Sequence, residues 1–301
     1  MDVRPGGRSN PPKLCFIGFG EAGQAFAGGF LEAGIVEISA FDIAPDPARV
    51  AAPAQRLGVR LSSDLPAALS GADFIFCAVT AASSLDAARA AAAYLAPGQI
   101  FVDVNSVSPG RKREAAAAIG PGGRYLDLAI MAPVHPRRHA TPCLVAGGDA
   151  AAFVEMFSPF GMALKQTGVE IGSATIIKMV RSVMVKGLEA LSYECFMAAR
   201  AAGVDAVILD SLKGSYPGLD WQKLVPYHVS RMLQHGTRRA AEMREVAATL
   251  RELGIDPAVT EGTVIQQERL GALGLPGDPD DGFTLLDLVS DALADTARAD
   301  R

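Results

Sequence analysis

The chain has little cysteine and places it poorly for chemistry. Cys15, Cys77, Cys143 and Cys195 show neither a CxxC nor any other metal-ligand spacing, so no cysteine-bound metal is expected. Three of them sit in apolar strand-like runs, and buried free thiols in a reducing cytoplasm are the expectation. An excess of positive charge is also lacking. With 28 Lys and Arg against 33 Asp and Glu, the formal net charge is −5, which argues against nucleic acid as the main partner. No run of eighteen apolar residues occurs, so no membrane-spanning helix is expected. The opening MDVRPGGRSNPPK lacks an apolar segment and predicts a short flexible tail over residues 1–12 rather than a signal peptide. From about residue 173 to the end there is almost no strand signal. Hydrophobic residues make up 50% of 301 positions, enough for one larger and one smaller domain.

The most informative stretch is residues 13–42, KLCFIGFGEAGQAFAGGFLEAGIVEISAFD. Leu14, Cys15, Phe16 and Ile17 form the continuous apolar run that a parallel strand buried on both faces requires. Gly18, Phe19, Gly20, Glu21, Ala22 and Gly23 then give GxGxxG where that strand must turn into a helix. Gly18 would allow the tight turn, Gly20 the close approach of a pyrophosphate, and Gly23 the close packing of helix on strand. N–H groups at the helix start would face the anion. Ala22, Phe26, Phe30 and Ala33 recur at helical spacing, and Gly34 is placed to end the helix. The next strand finishes at Asp42, nineteen residues beyond Gly23, close to the separation of the ribose-binding acid. This pattern predicts a dinucleotide site, to which Val79 and Thr80 at the end of a later strand would also contribute. Asp42 favours NAD, because a carboxylate there would bond the ribose hydroxyls and repel a 2′-phosphate. Arg49 is the nearby cation that would reverse this in favour of NADP.

Strand patterns at residues 59–63, 73–79 and 99–105 alternate with helical ones, and further strands are expected over 124–131, 141–148 and 163–167. The fold class expected is α/β: a Rossmann doubly wound parallel sheet over 13–172, followed by an all-helical domain over 173–301. Ser173 would cap the first long helix, 174–202. Further helices are expected over 220–234, 238–253 and 257–270, and from residue 283. The number of apolar positions in the helical part predicts at least a dimer. On helix 174–202, Lys178, Ser182, Lys186, Glu189 and Tyr193 fall in one stripe. Either that stripe is a solvated edge, with Lys186 and Glu189 as a surface pair, or its N-terminal end, Lys178 and Ser182, faces a bound cofactor.

GFGEAG at 18–23, DVNSVSP at 103–109, GGD at 147–149 and GSATIIKMV at 172–180 follow one another as in the β-hydroxyacid dehydrogenase family, which the chain resembles over nearly its whole length. That family includes 3-hydroxyisobutyrate and 6-phosphogluconate dehydrogenases. The segment HGTRRAAEMREVAATLRELGIDP at 235–257 is similar to a poorly characterised branch of it. The resemblance implies that Lys178 is the catalytic lysine and that Asn105 and Ser106 are the substrate-binding strand end. Two departures bear on substrate. Met131, Ala132 and Pro133 stand where the family has a Gly-Gly loop, and Ser182 where it has an asparagine four residues after the lysine. In the altered loop, His135, Arg137, Arg138 and His139 form either a solvated cluster or a lid whose arginines bind an anionic substrate.

The function expected is an NAD(P)-dependent oxidoreductase moving a hydride between nicotinamide and a small anionic hydroxy acid or its oxo form. It is expected to be a cytoplasmic homodimer that uses no metal. Imine reduction and a non-catalytic dinucleotide-binding regulator are the alternatives. Lys178 favours the hydroxyl substrate, since a C–OH/C=O couple needs a proton donor and acceptor at oxygen.

Overall fold

The computed structural model describes residues 11–43, 47–120 and 123–299, so most of the tail expected over residues 1–12 lies outside the described residues. The chain divides into two compact units, Met1–Met179 and Val180–Arg301.

The first unit is built on eight strands: β1 (Leu14–Ile17), β2 (Ile38–Phe41), β3 (Arg60–Leu61), β4 (Phe74–Cys77), β5 (Ile100–Asp103), β6 (Arg124–Ile130), β7 (Cys143–Ala146) and β8 (Leu164–Gly168). Between them run α1 (Glu21–Glu32), α2 (Pro47–Leu57), α3 (Leu65–Leu69), α4 (Ser84–Ala92), α5 (Pro109–Ile119) and α6 (Ala150–Phe157). The strand order is β3-β2-β1-β4-β5-β6-β7-β8. Strands β1 to β6 are parallel, but β7 pairs antiparallel with β6, and β8 follows the direction of β7. The doubly wound parallel sheet expected from sequence is thus present, with β7 and β8 as a reversed edge that the sequence pattern did not indicate. A loop carrying one 3-10 turn, Arg138–Ala140, joins β6 to β7, whereas a parallel return needs a longer crossover, usually an α-helix.

Period-two alternation explains the two cores. Leu14, Phe16, Phe74, Phe76, Ile100 and Val102 face one side and pack with Phe26 and Phe30 of α1 and Phe153 and Phe157 of α6. Cys15, Ile17, Ile75, Cys77 and Phe101 face the other, against Leu65, Ala88, Ala91, Ala115 and Ile119 of α3, α4 and α5. The order reverses between β1 and β4, and the carboxyl ends of these strands bound the crevice where such sheets take their ligands.

A thirty-residue helix, α7 (Ser173–Ala202), leaves the first unit and continues into the second. There it is joined by α8 (Asp205–Ser215), α9 (Trp221–Glu252), α10 (Ala258–Ala272) and α11 (Thr284–Ala299). The expected break at residues 235–237 is absent: α9 is one helix of 32 residues. Gly236 serves contact rather than termination. A Cβ on it would lie 2.2 Å from Gln267 O, and one on Gly271 would lie 2.3 Å from Thr237 N, so α9 and α10 touch backbone to backbone. Helix α8 was not among the expected elements; it buries no residue fully, and Ile208, Leu209 and Leu212 pack partly buried against the helical core. Among the described residues no helix is long and apolar enough to cross a membrane. Cys15, Cys77 and Cys143 are buried, but Cys195 on α7 is exposed, contrary to expectation.

Candidate active site

The glycine turn between β1 and α1 separates what the protein needs from what it leaves open. Gly18 has φ +86°, and a Cβ there would lie 2.4 Å from Ala78 O at the end of β4. A Cβ on Gly23 would lie 2.6 Å from Gly18 O. Both glycines are therefore demanded by the fold itself. Gly20 is different: its backbone is extended, φ −78°, ψ −157°, and a Cβ built on it meets nothing within 4 Å. Neither conformation nor packing within the protein requires glycine there. Gly20 is also the N-cap of α1 and, having no side chain, leaves the first-turn N–H groups without a cap from its own position. The expected result for Gly20→Ala is a melting temperature within a few degrees of the parent and dinucleotide binding weakened at least about tenfold, or ~1.4 kcal/mol. Unchanged binding in a titration of reduced-nicotinamide fluorescence would refute that role.

Phe19 and Asp42 meet directly. Asp42 Oδ2 accepts the Phe19 N–H at 2.6 Å, so the acid at the end of β2 braces the glycine turn as well as standing beside it. At the end of β4, Val79 donates its N–H to Asn105 Oδ1 at 2.8 Å, and the Thr80 and Ser83 hydroxyls lie 3.0 Å apart.

Below these strand ends lies a buried polar network that the sequence reading missed. Asp103, Lys112 and Asp127 are all 0% exposed. Asp103 Oδ1 accepts the Asn105 backbone N–H at 2.8 Å and the Asn105 amide at 2.7 Å, and Oδ2 accepts the Tyr125 hydroxyl at 2.6 Å. Burial, then the Asp103 charge, push the Tyr125 phenol well above its ordinary range. From α5, Lys112 Nζ lies 2.7 Å from Asp103 O, 3.0 Å from Asp103 Oδ1 and 3.4 Å from Asp127 Oδ1, one oxygen for each donor of an ammonium. Asp127 in turn accepts the Thr175 hydroxyl at 2.6 Å and the Thr175 N–H at 2.9 Å.

Two of the expected substrate residues are thereby separated. The Asn105 amide is turned inward: its oxygen is taken by Val79, and its nitrogen faces Asp103 and Cys77 Sγ, the latter at 3.4 Å. Asn105 is thus placed to tie β4 to β5 rather than to reach a substrate. Ser106, the next residue, is half-buried, and its Oγ receives Lys178 Nζ at 2.5 Å. Lys178 stands one helical turn beyond Thr175 on α7.

The basic loop is not brought to this place. Arg138 forms a two-pronged pair with Glu32 at the last residue of α1, and α1 is 12 residues long, so the pair lies about 16 Å along the helix from the glycine turn. The Glu32 carboxylate raises the Arg138 guanidinium above its ordinary pKa. His139 is tucked against α1, with its Nδ1 1.9 Å from where a Gly29 Cβ would stand, and its Nε2 is 2.8 Å from Phe160 O. Burial lowers its pKa. Arg137 and His135 are exposed. This loop is a clasp over α1, which corrects the reading of Arg138 as an anion-binding lid.

The stripe on α7 is also not a solvated edge. Ser182, Lys186, Glu189 and Tyr193 are buried. Lys186 pairs with Glu242 of α9 at 2.8 Å, and Glu189 holds Arg239 and, at 2.9 Å, Gln267. Lys186 and Glu189 thus pair across the helical unit rather than with each other. Ser182 belongs to this second unit, one turn beyond Lys178.

Comparison with known proteins follows the same two-part plan. Residues 13–106 match the family model described as NADP oxidoreductase coenzyme F420-dependent, and residues 199–270 match a domain of unknown function, DUF1932. A conserved hypothetical protein from Sinorhizobium meliloti 1021 is 36% identical with a TM-score of 0.74, over 94% of this chain and 97% of its own. A conserved protein of unknown function, described as structurally similar to 3-hydroxyacid dehydrogenases, is 30% identical with a TM-score of 0.70, over 86% of this chain and 97% of its own. The 3-hydroxyisobutyrate dehydrogenase of Mycobacterium tuberculosis, solved with L-serine, shares the fold at 17% identity and a TM-score of 0.73, over 93% of this chain and 99% of its own.

Proposed function

The chain belongs to the β-hydroxyacid dehydrogenase superfamily, in a divergent branch of it, and from that premise we propose that it moves a hydride between NAD and a small hydroxy acid or its oxo form. The observation that carries this reading is the 2.5 Å contact between Lys178 Nζ and Ser106 Oγ beyond the carboxyl end of β5. An amine and a hydroxyl side by side at that edge form a proton donor and acceptor for a carbinol oxygen. The open face at Gly20 fits a dinucleotide pyrophosphate. When bound, the nicotinamide would supply the hydride donor or acceptor. Lys178 would take the hydroxyl proton during oxidation and return it during reduction, and Ser106 would orient the ammonium and the substrate oxygen. The test is a panel of 2- and 3-hydroxy acids, aldonates and their phosphates, followed by the absorbance of reduced nicotinamide. Turnover of at least one member is expected, and none with any member would overturn the reading.

Asp42 is proposed to set the preference for NAD. Asp42→Asn keeps an oxygen for the Phe19 N–H and removes the charge that would repel a 2′-phosphate. The ratio of NADP to NAD dissociation constants is expected to shrink at least about tenfold. A parent protein that already binds NADP more tightly would contradict this assignment.

A homodimer is proposed through the outer face of α7, where Ile177, Val180, Met184 and Leu191 are exposed at helical spacing. Light scattering at micromolar concentration is expected to give twice the mass of one chain, and a monomer mass would contradict it.

A further inference from the structure

We propose that Asp127 is the positioning residue of the site, acting on Lys178 through Thr175. This rests on the reading of Lys178 given above, and it concerns what holds that lysine rather than what the lysine does. The first N–H groups of a helix have no partner within it. In α7 one of these, the N–H of Thr175, is taken by a carboxylate from a strand 48 residues earlier in the chain. The Thr175 hydroxyl goes to the same carboxylate, so Asp127 grips the first turn of α7 at two points and fixes both its height and its rotation. Lys178 lies three residues on, on the same face of the helix. A rotation of that turn would swing the ammonium away from Ser106.

The other half of the pair is fixed by the same network. Asp103 accepts from both the backbone and the side chain of Asn105, immediately before Ser106. Ser108 caps α5, and Lys112 of that helix reaches back to Asp103 O. The segment carrying Ser106 is therefore pinned at both ends. Because Lys112 Nζ lies between Asp103 Oδ1 and Asp127 Oδ1, one buried ammonium joins the support of Ser106 to the support of Lys178. A carboxylate at the α7 N-terminus is favoured by the helix dipole, but a cap alone would be met by a local side chain. The use of a fully buried strand aspartate, shared with a second one through Lys112, is what a fixed distance between two side chains requires.

The test needs a readout that a purely structural role would not move and that does not depend on knowing the substrate. Reductive methylation with isotope-labelled formaldehyde keeps the lysine charge and gives each lysine a carbon NMR signal, and Lys178→Met identifies that of Lys178. Asp127→Asn presents an amide donor to groups that already donate. Thr175→Val removes one of the two grips. Thr175→Ser keeps both. All are measured well below their own melting temperatures. In Asp127→Asn and Thr175→Val the Lys178 signal is expected to move to the position of exposed lysines, and in Thr175→Ser to stay with the parent. For any acid that turns over, kcat is expected to fall at least about tenfold while the dissociation constant of reduced dinucleotide stays within about twofold. A Lys178 signal in Asp127→Asn and Thr175→Val that coincides with the parent overturns the proposal. If the signal moves as expected but Lys178→Met turns over normally, positioning by Asp127 stands and the assignment of proton transfer to Lys178 fails.

Discussion

Lys178→Met is expected to bind reduced dinucleotide within about twofold of the parent and to turn over its best acid at least about a hundredfold more slowly. Methionine keeps most of the stem volume, so the packing of α7 at this point is little disturbed, while the ammonium and its contact with Ser106 are lost. The dinucleotide contacts proposed for Gly20 and Asp42 lie in the turn between β1 and α1 and just beyond β2, and do not involve this side chain. General acid–base catalysis is typically worth ~10²–10⁴-fold. Lys186, two turns on, is held by Glu242 at 2.8 Å. Near-normal turnover in steady-state kinetics would make Lys178 an ordinary helix residue.

Lys112→Met is expected to destabilise the protein by about 3–5 kcal/mol, the usual cost of removing one member of a buried ion pair. The reason is the charge left behind. Asp103 and Asp127 are fully buried, and Lys112 is the cation that stands between their carboxylates. Its removal also leaves the Asp103 carbonyl without the donor it has at 2.7 Å. Arg113, the next residue, is not expected to compensate, because its side chain leaves the helix in a different direction. Urea unfolding followed by the near-ultraviolet signal of Tyr125 and its neighbours would measure the change. A loss below about 1 kcal/mol, the range of exposed pairs, would mean that the network adds no stability.

The glycine turn proposed to take the dinucleotide was legible as a structural unit because it is written locally. Strand, glycine turn, helix and acid follow one another within residues 13–42, and each glycine has a backbone reason that needs no knowledge of distant residues. The stripe on α7 together with the family resemblance singled out Lys178, which the fold brings to Ser106. The network beneath was not legible. Asp103 and Asp127 each interrupt an apolar strand once, which looks the same whether the carboxylate is buried or at a strand end. Lys112 stands in a run of charges at 111–114 that reads as a solvated helix face, yet it is the buried member. Its partners lie 9 and 15 residues away in sequence and are adjacent only once β5 and β6 pair. Asn105 was identified as a strand-end residue, but the direction of its amide depends on Val79 from another strand. The basic loop misled for a related reason: Arg138 finds Glu32 106 residues away, and nothing local to either residue encodes that meeting. The direction of β7 and the continuity of α9 through Gly236 likewise follow from tertiary contact rather than from local propensity.

Transfer of deuterium tests the proposed reaction most directly. A hydroxy acid labelled at its carbinol carbon, chosen from the panel, is incubated with NAD and the protein, and the reduced dinucleotide is analysed by mass spectrometry. Deuterium is expected on the nicotinamide ring with the parent, arriving at least about a hundredfold more slowly with Lys178→Met. A dinucleotide that binds but gains no deuterium from any labelled acid, or gains it equally fast without the lysine, would contradict the assignment.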